Sequence, residues 1–157
     1  MITKSLHLVK PDWFFTLEML GSTWHTVSST MTRFRRVLRE RLDTHIEDAY
    51  FVEPYANGQH HAHVLATGPI TDTQWLYDAA IHAGTRVGAL DPITHHGRLG
   101  YGLKMTETDE GLTAYLDANN GTLVHASRGF WKRPGEAPPR GGYRVLASQL
   151  RPAPISD

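Results

Sequence analysis

At 157 residues, with 40% hydrophobic and 20% charged residues, the chain is sized for one domain with a real core and carries no compositional sign of disorder. It has no apolar run of membrane-spanning length, its opening MITKSLHLVK lacks the apolar stretch of a secretory leader, and the lack of cysteine excludes disulfides and thiolate metal sites and fits a cytoplasmic setting. Sixteen basic residues balance sixteen acidic ones, so a uniform electrostatic coat for nucleic acid is excluded and any phosphate contact has to be local.

Asp12 to Leu20 (DWFFTLEML) reads as a buried, aromatic strand, and 21–28 as a loop of Gly and Ser. From Ser29 to Leu42 the apolar residues Met31, Phe34, Val37, Leu38 and Leu42 recur at helical spacing, with Ser28, Ser29 or Thr30 as the cap. Arg33, Arg35, Arg36, Arg39 and Arg41 fall largely off that stripe and form one basic island; Arg128, Lys132, Arg133, Arg140 and Arg144 form a second. Such islands suit either local phosphate contact or an ordinary solvated face. Tyr50 to Tyr55 and His60 to Thr67 are strand-like runs on either side of Asn57-Gly58, a hairpin signal. Asp72 to about Ala83 reads as a helix ended by Gly84, Thr85 to Leu90 as a short strand, 95–105 and 109–118 as helical pieces, and Thr122 to Ser127 as a last strand.

The order strand, helix, strand, strand, helix, strand predicts an α+β fold: a ferredoxin-like, split βαβ antiparallel sheet with four or five central strands, flanked by helices. The whole of 1–157 is expected to be one domain, with a Pro- and Gly-rich tail from about 134.

His61 and His63 are two apart on a predicted strand, so their imidazoles share a face. Glu53 lies on the partner strand, and loop parity decides whether it joins them. A loop of 57–58 sets Glu53 opposite Ala62, on the wrong face; 57–59 sets it opposite His63, and 56–58 opposite His61. With an odd loop, the two histidines and one carboxylate form a metal site with open coordination positions. That donor set suits Mg²⁺ or Mn²⁺, with Zn²⁺, Co²⁺ or Ni²⁺ able to substitute. The alternative is a half-exposed strand face with an edge charge.

Tyr101 and Lys104 fall three apart in a segment read as helical, which projects the phenol and the ammonium together. A phenolate attacking phosphorus needs a nearby cation, and a lysine supplies one. Tyr115 is a competing nucleophile, but it sits in an apolar pattern with Leu112 and Leu116, as a core residue would.

Taken in order, Trp13 to Glu18 (WFFTLE), Glu53, His61-Ala62-His63 and Tyr101-Gly-Leu-Lys104 resemble the motifs of the HUH endonucleases, most closely the rolling-circle replication initiators of plasmids, phages and single-stranded DNA viruses. Ser127-Arg128-Gly129-Phe130-Trp131 is similar to a segment of the plasmid and phage members. The chain departs from the family in one respect, having Ala62 where a bulky residue usually separates the histidines. The resemblance implies that Glu53, His61 and His63 hold the metal, that Tyr101 is the nucleophile, and that Lys104 positions it or stabilises its charge. It further implies nicking and rejoining of single-stranded DNA at a replication origin, in a hairpin loop, through a 5′-phosphotyrosine. The host helicase and polymerase would be partners inside a bacterial or virus-infected cell. Arg33, Arg36, Arg39, Arg128 and Lys132 are the expected DNA contacts, with Trp131 or Trp24 available for stacking. Three rivals stand beside this reading: a single-tyrosine transposase of the same superfamily, a non-catalytic origin or operator binder, and a small metal hydrolase.

Overall fold

The computed structural model describes residues 11–41, 46–68, 73–92, 107–127, 129–130 and 144–146. Its strands are β1 (Trp13–Glu18), β2 (Glu47–Pro54), β3 (His60–Thr67), β4 (Arg86–Pro92), β5 (Thr122–Ala126) and β6 (Arg144–Leu146). The helices among the described residues are α1 (Trp24–Arg41), α2 (Thr73–His82) and α3 (Asp109–Ala118). One sheet holds all six strands of the described residues in the order β4-β1-β3-β2-β5-β6, and every neighbouring pair is antiparallel. Its β4-β1-β3-β2 portion is the split βαβ arrangement expected from the chain order, because α1 joins β1 to β2 across β3, and α2 joins β3 to β4 across β1. No helix among the described residues is long and apolar enough to cross a membrane.

Helix α1 starts five residues earlier than the sequence spacing suggests, and the residues expected to be loop supply its first turn. The cause is Thr23. Its hydroxyl accepts from Thr26 N at 3.3 Å while Thr26 Oγ1 accepts from Thr23 N at 3.4 Å, a capping box with threonine in place of glutamate. Val27 then opens the buried stripe one turn before Met31, and Phe34 and Leu38 continue it. Helix α2 ends in a Schellman motif on Gly84, which takes φ +80° while Thr85 N donates to Ala80 O at 2.9 Å. Helix α3 is capped by Thr108, whose hydroxyl accepts from Gly111 N.

The core lies between one face of the sheet and the helices α1 and α2. Phe15 and Leu17 of β1, Tyr50 and Val52 of β2, and Ala62, Val64 and Ala66 of β3 meet Val27, Met31, Phe34, Leu38, Leu76, Ala79 and Ala80 there. Alternation does the rest: the neighbouring residues on those strands point to the other face. Ala62 is fully buried on the helix side, so the residue between the histidines belongs to the core.

Two long-range locks hold the far edge of the sheet. Asn119, fully buried at the end of α3, accepts from Val52 N at 2.7 Å and donates to Val52 O at 2.6 Å, replacing sheet partners that β2 lacks at that point. Glu47 accepts from the Ser127 hydroxyl and from Gly129 N, and Ser127 Oγ accepts from Asp48 N at 2.8 Å. A side chain at position 129 would collide with the Glu47 carboxylate, which accounts for the glycine. Phe130, 1% exposed, closes the core beside it, and Tyr115 is fully buried, as its apolar pattern predicts. The stretch expected to be an extended tail contributes β6, which pairs with the free side of β5. Its Val145 and Leu146 give that short segment a strand preference that its Pro- and Gly-rich surroundings hide.

Candidate metal centre

The register of the β2–β3 hairpin decides whether three ligands converge. Its last rung is Tyr55 N to Gln59 O at 2.7 Å, so the loop is 56–58. Gly58 N donates to Tyr55 O, Gly58 takes φ +84°, and the Asn57 side-chain oxygen accepts from Gln59 N. This is an odd, three-residue turn with glycine in the left-handed position. It places Glu53 directly opposite His61, and Phe51 opposite His63.

On the face turned away from α1 and α2, the Glu53 Oε2 atom lies 2.8 Å from His63 Nε2 and 3.5 Å from His61 Nε2. One ligand atom from each of the three residues lies within 4.8 Å of the others. For metal–ligand bonds of about 2.1 Å, donors at right angles around one ion are about 3 Å apart, so the separations from Glu53 to the two histidines are of the size a shared divalent cation requires, and the group could hold such an ion. The chemistry of the set agrees: two imidazole nitrogens and a carboxylate oxygen, with further positions left for water or phosphate.

The site is polar at its tips and aromatic around them. His63 is stacked on Phe14 at 5.5 Å between ring centroids and lies against Phe51 at 5.4 Å. Tyr55 stacks on His61 at 3.9 Å, with 19° between the planes, and the two imidazoles meet edge to face at 4.8 Å. Both histidines are buried, and the half-buried Glu53 closes the cluster. Hydrogen bonding from His61 and then His63 overcomes the desolvation of the Glu53 carboxyl and holds its pKa down at about 2. Since the carboxylate is ionised, it accepts, and the histidine N–H donates. A cation bound there would take that ring nitrogen in place of the proton.

Tyr115 lies near enough for the Glu53 charge to help raise its phenol pKa, although burial is the main cause. Buried and raised, it is ill placed to ionise as a nucleophile. Tyr101 and Lys104 lie outside the described residues, as do Arg128, Trp131 and Lys132. Arg33, Arg36 and Arg39 are exposed on α1, which packs on the opposite face of the sheet from Glu53, His61 and His63. The structure therefore does not bring these arginines to the ligand cluster. Arg35 of the same island is structural, with Nη2 2.6 Å from Asp48 and its guanidinium over the Tyr50 ring. Trp24 stacks on His125 at 4.7 Å and is packed against the core.

Sequence reasoning missed Tyr55, Phe14 and Phe51 as the frame of the histidines. Strand parity alone would have found Phe51, two residues before Glu53 on the same face. It also missed the Arg86–Glu18 ion pair at the end of β1, whose partners are 68 residues apart. No family model, curated protein or solved structure matches this chain.

Proposed function

We propose that this chain nicks and rejoins single-stranded DNA as a divalent-metal-dependent endonuclease with one tyrosine nucleophile, acting at a replication origin to start rolling-circle synthesis. The observation that carries the reading is the convergence of Glu53, His61 and His63 on one face of a split βαβ sheet, through a hairpin loop of the required odd length. When bound, Mg²⁺ or Mn²⁺ would supply a Lewis acid for a phosphate oxygen. Glu53 and the two histidines would hold that ion, and the aromatic frame fixes the imidazole planes. In this reading Tyr101 Oη bonds to phosphorus as the bond to the 3′-oxygen breaks. The phenol loses its proton, the 3′-hydroxyl gains one, and the 5′-phosphate stays on the tyrosine. The attack is in line, Lys104 offsets the phenolate charge, and the reverse step rejoins the strand without an external energy source. Arg128 and Lys132 would follow the strand near the cut. Arg33, Arg36 and Arg39, across the sheet, would touch DNA flanking it. A hairpin loop at the origin is the expected substrate, and the host helicase and polymerase would extend the freed end.

The test is a denaturing gel of the protein incubated with a random single-stranded DNA pool and Mn²⁺ or Mg²⁺. A covalent adduct lost with EDTA, with Tyr101→Phe and with His63→Ala is the expected result. Calorimetry with Mn²⁺ should show affinity falling 100-fold or more in His63→Ala, by analogy with the 10–100-fold effect of losing even an outer-shell partner. An adduct that survives Tyr101→Phe would move the nucleophile elsewhere. Tight DNA binding with no adduct and no metal dependence would favour the non-catalytic binder, and joining of one cut strand to a new target would favour the transposase.

A further inference from the structure

Beside the three ligands, between the end of β1 and the tip of the β2–β3 hairpin, runs a groove of about 870 Å³. That volume falls within the usual range for a small-molecule site, roughly 300–1,000 Å³. Glu18, Met19 and Arg86 line one side, and Tyr55, Asn57 and Gln59 the other.

A bulge in the sheet opens it. Leu20 N donates to His60 O at 3.2 Å and His60 N to Gly21 O at 2.7 Å, so the chain keeps pairing with β3 past the end of β1. Leu17 is paired with Ala62, so only Glu18 and Met19 separate it from Leu20, while a single residue separates Ala62 from His60. Met19 is the extra residue. It takes φ +63°, a left-handed conformation that costs a residue with a side chain roughly 1–2 kcal/mol, and the residue is 64% exposed. Strain of this kind persists where surrounding structure imposes it, and it collects at ligand sites. Here the pairing on either side of Met19 imposes it, and an apolar side chain is pushed out beside the groove.

Tyr55 joins the groove to the ligands. Its ring covers His61 on one side, and the residue is 41% exposed and lines the groove. Beyond it stand the exposed carboxamides of Asn57 and Gln59. Asn57 already accepts from Gln59 N through its oxygen, a bond that does not use its amide hydrogens. Arg86 spends Nε and one terminal nitrogen on Glu18 Oε2, while its side chain remains 67% exposed. The rest of the guanidinium can still donate to a phosphate. An aromatic platform, amide donors and acceptors, a guanidinium and a flexible apolar wall match the parts of a nucleotide: ring face, base edge, phosphate and sugar.

We propose that this groove holds the nucleotide next to the phosphate that a metal ion on Glu53, His61 and His63 would bind, its base stacked on Tyr55 and its edge read by Gln59 and Asn57, with Arg86 on the neighbouring phosphate. The proposal rests on the nuclease reading and adds to it a specificity pocket. It makes Tyr55 both the seat of a base and the packing behind His61, so base binding and ligand orientation are coupled.

The experiment measures three things on wild type, Tyr55→Leu and Gln59→Ala: affinity for a random single-stranded DNA pool with Mn²⁺, the sequences of the bound fraction, and affinity for Mn²⁺ alone. Stacking of one base supports about a tenfold loss of DNA affinity in Tyr55→Leu. Gln59→Ala should keep the wild-type affinity for Mn²⁺ and relax the base preference at one position next to the cut. Wild-type DNA affinity and an unchanged sequence profile in both variants would overturn the proposal. Tyr55→Leu also disturbs His61, so if it weakens Mn²⁺ as well as DNA the Gln59→Ala profile decides: unchanged, it overturns the pocket; relaxed at one position, it supports it. Wild-type protein that binds Mn²⁺ but no DNA would sink the nuclease reading itself, and the pocket with it.

Discussion

The two faces of strand His60–Thr67 do different work with neighbouring residues. Ala62, Val64 and Ala66 face α1 and α2 in an aliphatic core with almost no exposure. His61 and His63 face the other way, into aromatic rings and one carboxylate. On the first face, side chains are fixed by close packing, and burial supplies stability. On the second, polar atoms are fixed by one another and by ring stacking, at the desolvation cost of keeping a carboxylate half-buried. Stability should therefore reside mainly on the helix side and ion affinity on the other, and substitutions should separate them.

Phe34→Ala tests that separation hardest. Phe34 is fully buried and meets Phe15 edge to face at 6.1 Å. Its loss should cost about 3–5 kcal/mol in chemical denaturation, the usual range for a buried phenylalanine. The fraction that stays folded should bind Mn²⁺ with wild-type affinity. If affinity fell in step with stability, the two faces would be one cooperative unit, and the contrast between them would fail.

Alkali attacks the same face by another route. Burial, partly offset by Arg35, raises the Tyr50 pKa to about 12. The folded state thus favours the neutral phenol. The stability this confers is complete below the ordinary value of 10.0 and is lost as pH rises towards 12, on the order of 2–3 kcal/mol across that window. Denaturation midpoints measured from pH 9 to 12 should fall steeply in wild type and more gently in Tyr50→Phe. Equal slopes would show that Tyr50 ionises as freely in the folded protein as in the unfolded chain.

Asn119→Ala acts at the seam between the faces. It strands Val52 N and Val52 O, both served by that one side chain, and leaves them buried without it. A loss of about 2 kcal/mol is expected, since each buried group left unsatisfied costs about 1–3 kcal/mol and water can recover part of it. Hydrogen exchange should then locate the damage in β2 beside Glu53, with α2 untouched.

Much of this is open to sequence reasoning, for a physical reason in each case. The bounds of β3 and α3 follow from local patterns: a strand starting just past Asn-Gly, and a helix closed by Asn-Asn-Gly. The ligand face follows from parity, since Glu53 can join His61 only through an odd loop. What stays hidden depends on partners distant in sequence. Glu18 meets Arg86 across 68 residues, and Glu47 meets Ser127 across 80. Tyr55 reads as a hairpin residue until the turn folds its ring onto His61. The start of helix α1 escapes the sequence pattern because a threonine pair at 23 and 26 does what a threonine and a glutamate more often do. The basic face of α1 is legible as exposed, but not its side of the sheet, which only the packing of Met31 and Phe34 fixes.

The smallest expected effect tests whether the turn or the strands hold the register. Gly58 takes φ +84°, and a Cβ added there would have nothing within 4 Å, so Gly58→Ala meets backbone strain and no collision. A cost of about 1 kcal/mol follows, or roughly 2–4 °C in Tm. The hairpin is paired from Glu47 with Thr67 down to Pro54 with His60, and Leu17 and Phe15 pair with the other side of β3. A slip by one residue would turn Glu53 towards the helices and Val52 towards the histidines, which the aliphatic core strongly opposes. Mn²⁺ affinity in Gly58→Ala should thus stay within a few-fold of wild type even as Tm falls. A collapse of affinity with only that small loss of Tm would mean that the turn, and not the buried alternation of β2 and β3, keeps the carboxylate on the histidine face.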